Sequence, residues 1–145
     1  MQTFLPYKEF DKSAKVLDYR RLGKQRVECY QILQTLRGES SGWANHPAVK
    51  MWVGFEAALA EYSLAICAEW VSRGYRDSCA EKIKAFGYEK PTKYPPWIGD
   101  EEFHTSHKSN LLRKDNEFYG KYGWDIPADL PYVWPQIKNE IVLTD

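Results

Sequence analysis

The sequence predicts an all-α protein: a single compact helical domain of residues 1–145, with a long central helix and an irregular C-terminal tail. Three observations support this fold class. Apolar residues recur at helical spacing in the two longest patterned segments, helix start and stop signals bracket those segments, and the alternating pattern of strands is weak throughout. A chain of 145 residues with 43% hydrophobic residues can bury one core.

The first helix is predicted to run from Asp11, which suits the N-cap position, to about Leu36. Residues 1–10, before it, read as extended chain. Gly23 lies inside the helix and should weaken or bend it. One face carries residues at helical spacing, namely Leu22, Arg26, Cys29, Leu33 and Leu36.

The central helix is predicted to follow a loop at 38–45 that is rich in Ser and Gly. Asn45-His46-Pro47 resembles a helix start with Pro at the first helical position. The helix should continue to about Arg73, with Gly74 just past its end. Its two adjacent apolar stripes are Ala48, Trp52, Phe55, Leu59, Tyr62, Ile66 and Trp70, and Val49, Val53, Ala60, Leu64, Cys67 and Val71. A helix that is apolar on most sides belongs at the centre of a domain.

The C-terminal half is predicted to contain two more helices. A short one covers Asp77–Phe86, and a last one covers about Glu101–Tyr119. Residues 87–100 between them form a loop with three prolines, and the tail from Asp125 onward contains three more prolines and should be mostly irregular.

The composition argues against several classes of protein. No apolar run is long enough to cross a bilayer, and the first residues lack the charged and apolar regions of a signal peptide. Cys29, Cys67 and Cys79 include no closely spaced pair, which argues against a disulfide framework and a cysteine-based zinc site. Phosphate-loop, dinucleotide-binding, serine-hydrolase and kinase signatures are missing. We therefore expect a reduced, cytoplasmic protein.

The stretch 19–28 concentrates positive charge in a chain whose formal net charge is zero. Its cations are Arg20, Arg21, Lys24 and Arg26, and its one carboxylate is Glu28. Clustered cations on a helix face can dock phosphate groups. The same pattern also fits a solvated helix face with a Lys24–Glu28 pair, and the residues alone leave both interpretations open.

Histidines mark two further candidate sites. On the last helix, His104 and His107 share a face close to Arg113 and Lys114, an arrangement that suits phosphate binding, a polar network or plain capping. A zinc site would need a third ligand, and we predict no metal. His46, at the predicted start of the central helix, could help to bind an anion or simply cap the helix.

The segment 118–124 interleaves aromatic residues with two glycines and a lysine. Tyr119, Tyr122 and Trp124 could stack on nucleobases, as aromatic side chains do in single-strand binding sites. A tail that packs into the core explains the same pattern.

Taken in order along the chain, these features resemble the pyrimidine-dimer DNA glycosylase family of the phage endonuclease V type. Residues 19–24, Tyr-Arg-Arg-Leu-Gly-Lys, resemble the family's Tyr-Arg-Glu-Leu-Pro-Arg segment, and Arg73-Gly74-Tyr75 resembles the Arg-Gly-Phe that closes its middle helix. Phe118 to Trp124 resembles the family's aromatic tail. The start, Met-Gln-Thr-Phe-Leu-Pro-Tyr, is similar to that of a bacterial branch.

The resemblance implies a compact α-helical enzyme that acts on damaged or modified pyrimidines in double-stranded DNA without a cofactor. In this family an α-amino group attacks the sugar C1′ atom and forms a Schiff base, the damaged base is released, and β-elimination cleaves the strand. A glutamate on the basic helix assists. An α-amine suits this role because more of it is unprotonated at neutral pH than of a lysine amine.

The chain departs from the family at the glutamate, whose position is occupied by Arg21. The candidate catalytic residues are therefore Met1 as the amine, since the large Gln2 should preserve Met1, Glu28 as the acid or base, and Lys24 as an alternative amine. The DNA-binding candidates are Arg20, Arg21, Arg26, His46, His104, His107, Arg113, Lys114, Tyr119, Tyr122 and Trp124.

Two other functions fit the same sequence. A non-catalytic nucleic-acid-binding module of the same fold would keep the basic helix face without strand cleavage. An enzyme that acts on a small nucleotide would suit the zero net charge better than an extended DNA footprint does.

Overall fold

The computed structural model describes residues 1–135. Within them the chain forms seven α-helices, one short 3-10 helix and no strand, which confirms the all-α fold class. The α-helices are α1 Phe10–Val16, α2 Tyr19–Leu36, α3 Pro47–Lys50, α4 Glu56–Ser72, α5 Cys79–Ala85, α6 Glu101–Lys114 and α7 Asn116–Tyr119, and the 3-10 helix is Gly120–Tyr122. The extent of the domain, 1–145, remains a prediction.

The predicted first helix is two helices, and the prediction of Asp11 as N-cap is wrong. Asp11 lies in the first turn of α1, which ends at Val16. Leu17 is extended and fully buried, and Asp18 starts α2 by accepting a hydrogen bond from the Arg21 backbone amide (3.3 Å). The corner therefore forms because Leu17 is drawn into the core while Asp18 caps the next helix.

Gly23 neither ends nor interrupts α2. A Cβ atom at this position would lie 2.8 Å from Cη2 of Trp70 on α4. The Trp70 ring is held by a stack on Tyr75 and by a hydrogen bond from its Nε1 to the Arg76 carbonyl (2.8 Å). Glycine is therefore needed here for the close packing of α2 against α4.

The predicted long central helix is wrong in its first half. Four residues after Pro47 the helix opens into turns, and Gly54 adopts a φ of 86°, a conformation that favours glycine. The break lets Trp52 turn fully into the core while Val53, assigned to an apolar stripe, is 58% exposed. The uninterrupted central helix is α4, which packs against α1, α2 and α5.

The C-terminal helices are shorter than predicted. Asp77 lies outside α5, where its carboxylate accepts hydrogen bonds from the backbone amides of Cys79 (3.1 Å) and Ala80 (2.9 Å). The last helix ends at Lys114 because Asp115 leaves the helical conformation and caps α7. From Asp125 to Trp134 the tail has no regular structure, as predicted.

The irregular tail is fastened to α6 by short polar side chains. Ser109 Oγ donates to the Pro127 carbonyl (2.7 Å) and accepts from the Leu130 amide (3.0 Å), and Asn110 Nδ2 donates to the Leu130 carbonyl (3.1 Å). Because these bonds satisfy main-chain groups that make no helix or sheet, the tail has a fixed course over α6.

The N-terminal segment Gln2–Leu5 has no regular secondary structure, is buried and is bonded to side chains. Gln25 of α2 accepts from the Phe4 amide at Oε1 (2.9 Å) and donates from Nε2 to the Gln2 carbonyl (2.6 Å). Tyr62 of α4 donates to the Phe4 carbonyl (2.6 Å). The segment thus lies in the interior without a sheet to receive its hydrogen bonds.

Two histidines of α6 complete this support at Leu5. His107 Nδ1 accepts from the Leu5 amide (2.9 Å), and His104 Nδ1 donates to the Leu5 carbonyl (2.7 Å). Because burial disfavours the imidazolium, the pKa of His107 falls from its usual value near 6.5 to about 3, and that of His104 is also lowered. Both rings are therefore neutral at pH 7.

All three cysteines are free and buried. Within residues 1–135, no helix combines the length and the apolar character needed to span a bilayer.

Replacing Gln25 by Leu should lower the free energy of unfolding by about 2–4 kcal/mol, because the Phe4 amide and the Gln2 carbonyl lose their partners inside the core. Urea denaturation followed by circular dichroism measures the effect. Gln34→Leu, at a half-buried position of the same helix, is the matched control and should change stability by no more than ~0.5 kcal/mol. Equal losses in both variants would contradict the assigned role of Gln25.

Acid should weaken the same segment. Because the pKa of His107 is lowered in the folded chain, its contribution is complete above pH 6.5 and is lost as the pH falls toward 3. Between pH 6.5 and 5 this loss amounts to on the order of 1–2 kcal/mol. In His107→Asn, Oδ1 can still accept from Leu5 but cannot titrate. Urea denaturation at several pH values should give this variant a shallower pH dependence, and identical slopes would contradict the argument.

Candidate active site

A cleft of about 400 Å³ opens where the N-terminal segment meets α2, the end of α6 and the tail. Its lining residues are Met1, Gln2, Phe4, Arg20, Arg21, Lys24, Glu28, Lys114 and Tyr132. A larger, mainly apolar depression of about 510 Å³ lies elsewhere, between α1, α4 and the loop before α6. The smaller cleft combines the Met1 main-chain end and the Glu28 carboxylate with four cations, so we take it as the candidate site.

The α-amino group of Met1 lies 3.7 Å from Oε2 of Glu28. The Met1 side chain is only 2% exposed, although the residue as a whole is half-buried, so the accessible part of Met1 is its main-chain end. The Glu28 side chain is 13% exposed. An amine and a carboxylate therefore face one another at the wall of the cleft, with the methionine side chain as the anchor.

Cations surround this pair. Arg20, Arg21 and Lys24 reach the cleft from the first turns of α2, and Lys114 reaches it from the end of α6. The pKa of Lys114 is lowered, first by partial burial and then by repulsion from Arg21, Arg113 and Lys24. Cations that repel one another at one opening attract an anion, and a phosphate group fits this charge and size.

Arg21 is held in place by Asp18. Its Nη1 donates to Asp18 Oδ1 (3.0 Å), the Tyr119 hydroxyl donates to the same oxygen, and that hydroxyl accepts from the Asp18 amide (3.0 Å). Burial of Asp18 raises the pKa of its carboxyl group, but hydrogen bonds from Tyr119 and Arg21 outweigh burial, and the pKa is lowered overall. The Arg21 guanidinium at the cleft is therefore held in one orientation by Asp18, whose carboxylate offsets part of its charge.

Arg26 does not line the cleft. Its guanidinium bonds to Asp77 (2.5 Å) and lies over the Trp70 ring at 4.5 Å, where it ties α2 to the segment between α4 and α5. Arg113 is exposed beside Lys114, and its guanidinium donates to Asn110 Oδ1. Of the basic residues that the sequence placed on α2, Arg20, Arg21 and Lys24 line the cleft, whereas Arg26 supports the packing of the helix.

His104 and His107 lie behind the cleft rather than in it. Both are buried and hold the Leu5 main chain, so their position favours support of the N-terminal segment over direct contact with a phosphate backbone. Met1 comes four residues before Leu5, and this support therefore helps to place the amine.

The aromatic residues Tyr119, Tyr122 and Trp124 are bonded to residues on either side of α1 and at its end, and they do not line the cleft. Tyr119 is fully buried, the Tyr122 hydroxyl donates to the Val16 carbonyl (3.1 Å), and Trp124 Nε1 donates to the Tyr7 hydroxyl (2.8 Å). The Trp124 ring stacks on both tyrosines. This position favours the core-packing interpretation of the segment.

Tyr132 lines the cleft together with Phe4, and no pattern in the sequence indicated a role for Tyr132. It belongs to the proline-rich tail, whose course depends on hydrogen bonds to α6 between residues about 20 positions apart in sequence. Only the folded chain brings it to Met1.

His46 is the N-cap of α3, where Nδ1 accepts from the Ala48 amide (3.0 Å). A helix of four residues offers little dipole for an anion, which favours the capping interpretation. The pKa of His46 is lowered by partial burial and by the Met1 ammonium group, while Glu28 opposes the shift. The charges of the Met1–Glu28 pair therefore influence the protonation of His46.

The described part of the chain contains no group of three or more His, Cys, Asp or Glu side chains arranged to hold a metal ion. The chemistry that the cleft itself offers is that of an amine, a carboxylate and anion-binding cations.

Comparison with known families gives one match: the sequence model described as pyrimidine dimer DNA glycosylase matches residues 1–82. The matched region includes Met1, Lys24, Glu28 and His46 and runs from the N-terminal segment into α5. Comparisons with curated proteins and with solved structures gave no match. Because the matched region covers more than half of the chain and contains the amine and the carboxylate of the cleft, the chain belongs to the pyrimidine dimer DNA glycosylase family.

Proposed function

We propose that this protein is a DNA glycosylase with AP-lyase activity, which removes damaged or modified pyrimidines from double-stranded DNA through a Schiff base on the Met1 amine. The observation that carries this proposal is the 3.7 Å approach of the Met1 amine to Glu28 at the wall of a cationic cleft. Family membership supports the DNA substrate and the glycosylase activity.

In the first step, the ammonium group of Met1 loses a proton and its lone pair attacks C1′ of the nucleotide. The bond from C1′ to the base breaks, and the base leaves with the bonding electrons and takes up a proton. The sugar ring then opens as the C1′–O4′ bond breaks, O4′ is protonated, and the nitrogen remains bound to C1′ as an iminium ion.

In the second step, a proton leaves C2′ and the C3′–O bond breaks, so that the 3′ phosphate departs with the electron pair. Water then hydrolyses the imine and restores the amine. We assign to Glu28, whose Oε2 lies 3.7 Å from the amine, the roles of accepting the ammonium proton and stabilising the positive iminium ion.

The assignment of Glu28 as the catalytic carboxylate offers an explanation for Arg21, a cation at the position of the family's glutamate. Residues 21 and 28 are seven positions apart on one helix, which places them on one face two turns, or roughly 10 Å, apart. The N-terminal segment brings Met1 to Glu28 rather than to Arg21. We infer that Glu28 replaces the carboxylate found at the position of Arg21 elsewhere in the family, while Arg21 binds phosphate with Arg20, Lys24 and Lys114.

Lys24 is the alternative nucleophile, because its amine lines the same cleft one turn before Glu28. Met1 is favoured because its amine is within 4 Å of Glu28, whereas Lys24 forms no such ion pair within the described residues.

One prediction from the proposed function concerns the amine. Borohydride reduction in the presence of an abasic duplex, or of a UV-irradiated duplex, should trap a covalent complex with the tag-free protein. Trypsin digestion should then place the sugar adduct on the peptide that contains residues 1–8, because reduction fixes the nitrogen that formed the imine.

Two variants sharpen this test. An N-terminal extension that leaves Met1 inside the chain should abolish trapping, whereas Lys24→Gln should retain it. Trapping that survives the extension but disappears in Lys24→Gln would assign the reaction to Lys24. Salt-dependent binding to both duplexes without a covalent band would favour the non-catalytic module, and binding to free nucleotides alone would favour the small-nucleotide enzyme.

Another prediction from the proposed function concerns the carboxylate. Glu28→Gln keeps the size of the side chain but removes its charge and basicity, so single-turnover strand cleavage of an abasic duplex should slow by about 100-fold or more. Glu39→Gln, at an exposed carboxylate bonded to Arg37, is the matched control and should cleave at the wild-type rate. An unchanged rate in Glu28→Gln would remove Glu28 from the mechanism.

A further inference from the structure

Three aromatic rings beside the cleft have no part in the amine chemistry. The Trp43 ring meets His46 edge to face at 5.8 Å between ring centroids, and His46 meets Trp134 in the same way at 6.0 Å. We refer to Trp43, His46 and Trp134 as the aromatic platform. Trp134 is half-buried against the core, whereas Trp43 is 44% exposed, and an edge-to-face contact leaves much of the Trp43 ring face available for a further ring.

Trp43 is not a core residue. It is 44% exposed in the loop 38–45, where every residue is exposed, although an indole would gain much from burial. The loop is fastened next to the start of α3, because the His46 amide donates to the Trp43 carbonyl (2.9 Å). An exposed indole on a fastened loop is a stacking surface already in position.

His46 adds a directional polar group to the platform. Its Nδ1 accepts from the Ala48 amide, so the proton of the neutral ring lies on Nε2. The lowered pKa keeps the ring neutral at pH 7. A neutral N–H donor between two indoles suits a flat heterocycle that carries a carbonyl oxygen.

The platform adjoins the cleft on its own side of the molecule. Tyr132, which lines the cleft, lies 5.5 Å from Trp134 between ring centroids. The Met1 ammonium group and Glu28 both act on His46 electrostatically. A nucleotide whose C1′ reaches Met1 therefore has the platform within its surroundings.

We propose that Trp43, His46 and Trp134 form a subsite for an unstacked pyrimidine base, which stacks on an indole and accepts a hydrogen bond from His46 Nε2 at a carbonyl oxygen. The subsite rests on the proposed function, because the base belongs to the DNA that enters the cleft. Thymine offers two such carbonyl oxygens, whereas adenine offers none.

Equilibrium binding tests this subsite without requiring catalysis. Three fluorescein-labelled duplexes differ at one central position, which holds an unpaired thymine, an unpaired adenine or a tetrahydrofuran abasic analogue. The wild-type protein should bind the thymine duplex about tenfold more tightly than the abasic one, as judged from typical stacking contributions. Trp43→Ala should lose about tenfold on thymine and keep its affinity for the abasic duplex.

Two further variants separate stacking from other effects. Tyr94→Ala removes another aromatic residue that is 44% exposed, but one that bonds to Glu61 in the separate apolar depression, and it should bind all three duplexes as the wild type does. His46→Asn keeps a side chain that can cap α3 but lacks the reach of Nε2, and it should reduce the preference for thymine over adenine.

The inference is overturned if the wild type binds thymine and abasic duplexes equally, or if Trp43→Ala weakens both by the same factor. This outcome is distinct from failure of the proposed function, which appears as the loss of borohydride trapping by the wild-type protein. If the wild type prefers the thymine duplex but is not trapped by borohydride, the subsite is supported and the amine chemistry is rejected. If it is trapped but shows no preference for thymine, the amine chemistry is supported and the subsite is rejected.

Discussion

The site depends on one structural constraint: an N-terminal segment without regular secondary structure is buried with no sheet to pair with. Each main-chain group that it takes into the core needs a partner, or the fold loses about 1–3 kcal/mol for that group. Gln25, Tyr62, His104 and His107 supply these partners from α2, α4 and α6. The same bonds that join three helices around Gln2–Leu5 therefore also determine where the chain terminus lies.

In the proposed mechanism, this constraint explains why Glu28 can take the role of the glutamate whose position in the family is occupied here by Arg21. The reach of Met1 is limited by its attachment to a segment bonded to the core, so the position of the amine is decided by that segment and not by the charge pattern of α2. Met1 meets Glu28 at 3.7 Å. Arg21 lies two turns away and is bonded to Asp18, and in the proposed mechanism it orients phosphate rather than transferring protons.

The periodicity of the sequence was sufficient to predict the main helices but not the breaks and connections between them. The fold class and the existence of α2, α4, α5 and α6 followed from apolar spacing and from helix start and stop signals. The breaks at Leu17 and Gly54 could not be predicted from this spacing, because each break arises where a side chain is drawn into the core against the local helical pattern. The side chain is that of Leu17 at the first break and that of Trp52 at the second. The roles of His104, His107 and Tyr132 depend on partners about 20 to 100 positions away, which no local pattern reveals. The cleft brings together Met1, Glu28 and Lys24, which the sequence offered as catalytic candidates, but it does not include Arg26.

The distribution of charge and aromatic rings fits a small footprint on DNA. Arg26 and Arg21 are bonded to carboxylates, so the cations on the cleft wall that bear most on an incoming anion are Arg20, Lys24 and Lys114. Few phosphate contacts give little sequence-independent affinity, which agrees with a formal net charge of zero. An enzyme built in this way must obtain the rest of its binding energy from the nucleotide itself. Since Tyr122 and Trp124 are bonded to Val16 and Tyr7, the subsite proposed at Trp43 is, besides Tyr132, an aromatic surface at the cleft from which that energy can come.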